Sequence, residues 1–209
     1  MNSAFFFVYV RKKQYICRRK MEYRIFDDMA RCTEAEEARL MGTVSEQRRQ
    51  YALRYKHLFG RWATLKTYEM LMPMLDEAGC PNPRAEWQYT PEGKPYIKGG
   101  PFFSLSHCQK GLAVAVDSSP IGIDIEQIRS YSPSLAERTM NEQELAEITA
   151  SDDPARAFIR LWTRKEAYLK WKGTGITEDL RECLSGAEQC KMMTIEEKDY
   201  VCTIAMNND

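Results

Sequence analysis

The chain has 209 residues, of which 44% are hydrophobic and 29% charged, a balance that suits a folded globular enzyme and is too apolar for a disordered chain. Lys and Arg together number 30, as do Asp and Glu, so no net charge draws the chain towards a polyanion such as duplex DNA. The 7 cysteines are odd in number, widely spaced and free of any CxxC pair, which argues against a disulfide framework or a zinc site and for reduced thiols in a cytoplasm.

In chain order, "AFFFVYV" (Ala4 to Val10) is apolar but too short to span a bilayer. No basic region precedes it and no small-residue cleavage site follows, so it is a poor signal peptide. A strongly basic stretch, "RKKQYICRRK", comes next, and Met21 opens "MEYRIF", the start of a first strand. Residues 1–20 read as an extension ahead of the fold, with an extra strand as the alternative. Thr33 and Glu36 form a capping-box pair for a short helix. Ser45 caps a run rich in Arg and Tyr that reaches Phe59, and a further helix is expected from about Arg61 to Glu77, stopped by Gly79 with Pro81 beyond. "AEWQYT" (Ala85 to Thr90) reads as a strand and "PEGKP" as a turn. Two further strands, "FFSLS" from Phe102 and "LAVAV" from Leu112, flank "HCQKG"; after a turn from Asp117 to Pro120, "IGIDIE" is the next. A loop is expected around Ser132, Pro133 and Ser134, then a short helix capped by Asn141 and Glu144. The strongest helix signal is "DDPARAFIRLWTRKEAYLKWKG", with Asp153 at the N-cap, Pro154 at the first position and Gly173 at the end. "KMMTI" and "DYVCTIA" close the chain as strands. Helices followed by strands, twice over, fit an α+β class with antiparallel sheets better than alternating βαβ units.

In a strand, alternate residues share a face, so Ile121, Ile123 and Ile125 point into a core while Gly122, Asp124 and Glu126 point the other way. Two carboxylates so close repel unless a divalent cation lies between them, and oxygen-only ligands favour a hard ion such as Mg²⁺. The side chain missing at Gly122 leaves room for a bulky ligand. The alternative is an exposed face of an edge strand, its acids solvated or paired to Arg. On the long helix, Trp162, Glu166 and Lys170 fall on one stripe, with Lys165 beside it. Glu166 and Lys170 suit a helical ion pair; they equally suit a third carboxylate beside cations that bind phosphate. Three acids with nearby ammonium groups are what a magnesium–pyrophosphate complex needs. Ser106 and His107 at a strand end suit phosphate contact, and Lys94 is held in a tight turn.

Taken together, "GKP" (Gly93 to Pro95), "FSLSH" (Phe103 to His107), "GIDIE" (Gly122 to Glu126) and "WTRKEAYLKWKGTG" (Trp162 to Gly175) resemble the 4′-phosphopantetheinyl transferases, in particular the larger surfactin-synthetase-activating (Sfp-type) group. The resemblance is strong from residue 93 to 176. It implies a pseudo-dimer of two similar α+β halves, residues 21–118 and 119–209, each an antiparallel sheet packed with a long helix and joined near Ser118 to Pro120. It implies Mg²⁺-dependent transfer of the phosphopantetheine arm of coenzyme A to a serine of an apo acyl or peptidyl carrier protein, leaving adenosine 3′,5′-bisphosphate. Asp124, Glu126 and Glu166 would hold the metal, and Glu166 would take the serine proton. Lys165 and Lys170 would neutralise the phosphates, and Lys170 would protonate the leaving group. Ser106 and His107 would touch the coenzyme A phosphates, Lys94 its nucleotide end, and Arg48, Arg54 or Arg61 its 3′-phosphate. His57 is read as structural. The carrier would dock beside the loop after Ile128, where Tyr131, Leu135 and Met140 offer apolar contact. A cytoplasmic monomer, with neither nucleic acid nor membrane as partner, completes the expectation. A metal-dependent phosphoesterase and a non-catalytic carrier-binding module are the alternatives.

Overall fold

A computed structural model describes residues 21–175 and 179–208; the expectations for residues 1–20 lie outside them. The first strand, β1 (Glu22–Phe26), precedes three helices, α1 (Glu34–Met41), α2 (Glu46–Ala52) and α3 (Leu58–Glu77). Thr33 and Ser45 cap α1 and α2, each accepting the amide of the third residue on, Glu36 and Arg48, at 3.2 Å. The expected capping box at α1 is only half made. The Glu36 carboxylate turns to Arg39 at 2.8 Å, because a charge-assisted pair competes with the return bond to the N-cap amide. The run expected to extend from Ser45 to Phe59 breaks at Leu53, and α3 starts three residues earlier than Arg61. The predicted strand Ala85 to Thr90 shrinks to β2 (Gln88–Tyr89), which pairs with β3 (Pro95–Tyr96) across the "PEGKP" turn. The long strands β4 (Phe102–Cys108) and β5 (Gly111–Asp117) follow, and the first sheet has the antiparallel order β1-β5-β4.

The second half begins at β6 (Ile121–Gln127), after the Ser118 to Pro120 junction. The loop expected at Ser132 to Ser134 is instead the start of α4 (Pro133–Thr139). Ser132 caps it by accepting the Leu135 amide at 3.1 Å, and Pro133 sits where its missing N–H costs nothing. Both bonds of the Asn141–Glu144 capping box are made at the start of α5 (Glu142–Ala150). Helix α6 (Pro154–Lys172) has Asp153 as N-cap and ends at Gly173, whose φ of +79° is the left-handed conformation expected of a helix stop. Strands β7 (Cys190–Glu196) and β8 (Tyr200–Asn207) complete an antiparallel sheet of order β6-β8-β7. Each half therefore places its last strand between its first and second long strands. Helix α3 packs on the first sheet and α6 on the second.

The isoleucine face of β6 is the seam between the halves. Ile121, Ile123 and Ile125, all fully buried, pack with Ala113 and Ala115 of β5 and with Cys202 and Ile204 of β8. Burying each isoleucine contributes about 1.5–3 kcal/mol. The opposite face of β6 lies under α6. β6 ends its own sheet and β4 runs along its free side; of its two acids Asp124 is buried and Glu126 half-buried.

Candidate active site

The approach of α6 to β6 is set by Gly122. A Cβ there would lie 2.0 Å from the Ala167 carbonyl oxygen and 2.4 Å from the Trp171 amide nitrogen. The glycine thus makes room for a helix backbone, not for a ligand as the sequence suggested. Two residues on, Asp124 is driven beneath the helix and is only 3% exposed. Its Oδ1 accepts from the Ser106 hydroxyl at 2.8 Å and from the Lys170 ammonium at 2.7 Å. Its Oδ2 is buried with no hydrogen-bond partner among the described residues, an orphan acceptor of the kind that calls for an explanation. Lys170 also donates to the Ile123 carbonyl at 3.1 Å, so it belongs to β6 and not, as a helical pair, to Glu166.

The three acids sit in one electrostatic neighbourhood. Burial, and then the Asp124 charge, push the Glu126 carboxyl up to about 7. The same two causes, in the same order, raise Glu166, with Lys170 opposing. As the side chains stand, no group of three or more His, Cys, Asp or Glu residues among the described residues is gathered tightly enough to hold an ion. Glu166 and Lys170 line a cavity of about 260 Å³ between the halves, with Phe103, Ser104 and Leu105 of β4 and Lys94 of the β2–β3 turn on its other side.

The remaining expected residues divide. Ser106 joins the group through Asp124. His107 points from β4 towards α3, its ring 5.9 Å from that of Phe59, and burial holds its imidazole below the usual range, helped by the positive charge of Lys170. Lys94 borders the cavity, yet its ammonium donates to the carbonyls of Ile121 and Lys170. Lys165 is not brought to the acids. It is 1% exposed, and its ammonium lies 2.7 Å from Glu144 and 2.7 Å from the Leu180 carbonyl. One residue along a helix turns a side chain by about 100°, so Lys165 and Glu166 face different neighbours. Sequence reasoning missed this partner, although the capping box had already placed Glu144 at the start of α5, where its Oε2 also accepts the Asn141 amide at 2.8 Å. It also missed Ser104, whose hydroxyl accepts the Ile123 amide at 3.1 Å.

The apolar residues expected to receive a carrier are packed instead. Met140 is 1% exposed, Tyr131 stacks on Phe158 at 4.7 Å, and Leu135 lies against the same cluster. In the first half, Arg61 is paired with Glu37. Arg48 is buried against Trp87 and Tyr51, donates to the Thr64 carbonyl, and has no carboxylate within ion-pair distance among the described residues. Arg54 is exposed beside Tyr51. His57 stands at the N-cap of α3 without a side-chain capping bond. Cys32, Cys80, Cys108, Cys190 and Cys202 are free thiols, and among the described residues no helix is long and apolar enough to cross a membrane.

Comparison with known proteins bears on this arrangement. Residues 120–204, which contain β6, α6, β7 and most of β8, match the 4′-phosphopantetheinyl transferase superfamily. A 4′-phosphopantetheinyl transferase of Bacillus subtilis is 34% identical over 157 residues, covering 68% of this chain and 66% of the relative. The transferase ffp of Bacillus subtilis is 30% identical over 69% of this chain and 67% of its own length. The transferase Sfp of Bacillus subtilis strain 168 is 28% identical over 80% of this chain and 77% of its own. The chain thus spans about two thirds of the length of the first two relatives. Three of the four sequence motifs line the inter-half cavity and the fourth, on β6, packs under α6 beside it; the chain belongs to the 4′-phosphopantetheinyl transferase superfamily, in its Sfp-type group.

Proposed function

We propose that the chain transfers the 4′-phosphopantetheine arm of coenzyme A to a serine of an apo acyl or peptidyl carrier protein. The observation that carries this reading is the buried Asp124, held by Ser106 and Lys170 with an unpartnered Oδ2, beside two carboxyls that its charge pushes up. A divalent cation would supply what that oxygen lacks and relieve the mutual repulsion, so the donor set fits Mg²⁺ held by Asp124, Glu126 and Glu166. Bound there, the ion would neutralise charge on the pyrophosphate.

The chain's own residues account for the rest. The carrier serine oxygen attacks the β-phosphorus, and the bond from that phosphorus to the bridging oxygen of adenosine 3′,5′-bisphosphate breaks. Glu166 lines the cavity, where its carboxylate is placed to take the serine proton. Lys170, fixed by Asp124 and the Ile123 carbonyl, presents an oriented ammonium to the leaving phosphate and is the group from which it takes a proton. Ser106 and His107 flank the phosphate end. Arg48, with no carboxylate counter-ion among the described residues, and exposed Arg54 are the candidates for the 3′-phosphate.

The repeated strand order supports reading the fold as a pseudo-dimer of residues 21–118 and 119–209. One chain then encloses a whole site, so a monomer suffices, and the free thiols suit a cytoplasmic setting. Neither nucleic acid nor a membrane enters this reading. The test is incubation with coenzyme A, Mg²⁺ and a panel of apo carriers, followed by intact mass. A gain of one phosphopantetheine is expected. Folded enzyme that modifies no carrier refutes the reading, and adenosine bisphosphate released without a carrier would point to a phosphoesterase.

A further inference from the structure

The free edge of β6 presents backbone groups that no strand pairs. Side chains take the strand's place. The Ile123 amide donates to Ser104, the Ile123 carbonyl accepts from Lys170, and the Ile121 carbonyl accepts from Lys94, each at 3.1 Å. Lys94 does more than cover an edge. Its ammonium also donates to the Lys170 carbonyl, in the last turn of α6, where carbonyls have no partner within the helix. A lysine from the first half thus bridges two elements of the second half, beside the contacts made by Lys170 and the close packing at Gly122.

The bridge is rigidly based. The Lys94 amide donates to the Thr90 hydroxyl at 3.2 Å, the Thr90 amide donates to the Lys94 carbonyl at 2.9 Å, and Gly93 takes a φ of +89° to close the turn. The ammonium is largely buried, and burial draws its pKa down to about 8. No carboxylate lies within ion-pair distance of it among the described residues, so two carbonyl dipoles are what hold the charge. Such an arrangement costs desolvation, and its return is geometry.

We propose that Lys94 is a positioning residue: by clamping the Ile121 carbonyl of β6 to the Lys170 carbonyl of α6, it sets the spacing that holds the Lys170 ammonium on Asp124 at the edge of the inter-half cavity. This rests on the transferase reading only in its kinetic arm. A contact to the nucleotide would touch coenzyme A directly, whereas the clamp acts through Lys170.

Lys94→Met and Lys94→Arg are compared with the unaltered protein in two measurements. In the first, hydrogen exchange of the free protein, Lys94→Met speeds exchange in residues 170–175 by about tenfold, the loss of one charge-assisted bond, and leaves residues 158–166 unchanged. In the second, with coenzyme A, Mg²⁺ and an apo carrier, kcat falls by about tenfold or more while KM for coenzyme A moves by less than about twofold. Lys94→Arg, which keeps charged donors, restores part of both. Should Lys94→Met not fold, Lys94→Gln, with a shorter neutral donor, carries the same comparison. Unchanged exchange in residues 170–175, or a raised KM with kcat intact, overturns the clamp. Faster exchange in a protein that modifies no carrier in any form keeps the clamp and refutes the transferase reading.

Discussion

Replacing Gly122 by alanine adds one methyl group where α6 crosses β6. That methyl carbon would lie 2.0 Å from the Ala167 carbonyl oxygen and 2.4 Å from the Trp171 amide nitrogen, whereas 3.4 Å is ordinary contact. Both obstacles are helix backbone, so no side-chain rotation relieves them, and α6 must retreat by roughly 1 Å or more, a strain in the upper range for overpacking, about 3 kcal/mol. For a chain of this size each kcal/mol lowers Tm by about 2–4 °C, so a fall of about 6–12 °C is expected by calorimetry. The retreat carries Glu166 and Lys170 away from Asp124, and a displacement of about 1 Å at reacting groups costs on the order of 100-fold in rate. Transfer to a carrier, assayed well below the lowered Tm, should fall by about that factor. Gly42→Ala is the control. Its φ is −74° and its nearest obstacle is 3.4 Å away, so it should be neutral or stabilise by up to about 1 kcal/mol. If Gly122→Ala melted within about 2 °C of the parent and kept its turnover, the packing account of this strand would be wrong.

Glu166→Gln should abolish transfer yet leave coenzyme A binding, read by calorimetry, within about threefold; surviving activity would remove Glu166 as the base. Glu144→Leu strands the buried Lys165 ammonium and should cost about 3–5 kcal/mol in urea unfolding, while Glu144→Leu with Lys165→Met recovers most of it; equal losses in the single and double variants would mean the pair is not coupled. Glu126 has a folded pKa of about 7, above the unfolded value, so its protonated form stabilises the ion-free fold fully below about pH 4.3, and that contribution is lost as pH rises through 7. Mg²⁺ binding should therefore release a proton near pH 6.5 and almost none at pH 8.5, measured by calorimetry in two buffers of different ionisation enthalpy. Binding with no proton release at pH 6.5 would remove Glu126 from the ion site.

The parts of the fold that were legible are those whose cause is local. Caps at Ser45, Asn141 and Asp153 satisfy helix amides within three residues, and Gly173 stops α6 through its own φ. The alternation in "IGIDIE" placed the isoleucines correctly because a strand's two faces follow from its geometry alone. The errors lie where a distant partner decides. Gly122 looked like space for a ligand, and only the position of α6, some 45 residues later, shows what fills it. Lys165 and Glu166 are adjacent letters of one motif, yet α5 captures the first and the cavity receives the second. Tyr131 and Met140 looked available because the loop expected there is a helix folded onto Phe158.

The site shows the same division more sharply. Residue types told which chemistry to look for, since a strand with two acids on one face cannot be buried unless something compensates them. They did not say what does the compensating. Among the described residues Asp124 is compensated on one oxygen only, by a hydroxyl from the first half and an ammonium from the second, and its other oxygen is left without a partner. Glu144 also receives both of its partners, the Asn141 amide and Lys165, on a single oxygen, Oε2, but unlike Asp124 it leaves no buried oxygen without a partner among the described residues. The contrast between these two buried carboxylates is the physical ground for placing function at Asp124 and structure at Glu144. Asp124→Asn sharpens it further. An amide there would set its NH₂ group, which cannot accept, against either the Ser106 and Lys170 donors or the place where a cation would sit. Stability should therefore fall by only about 1–3 kcal/mol, while any Mg²⁺ affinity and the transfer activity should be lost together. A variant that kept both would locate the ion, and with it the chemistry, somewhere other than β6.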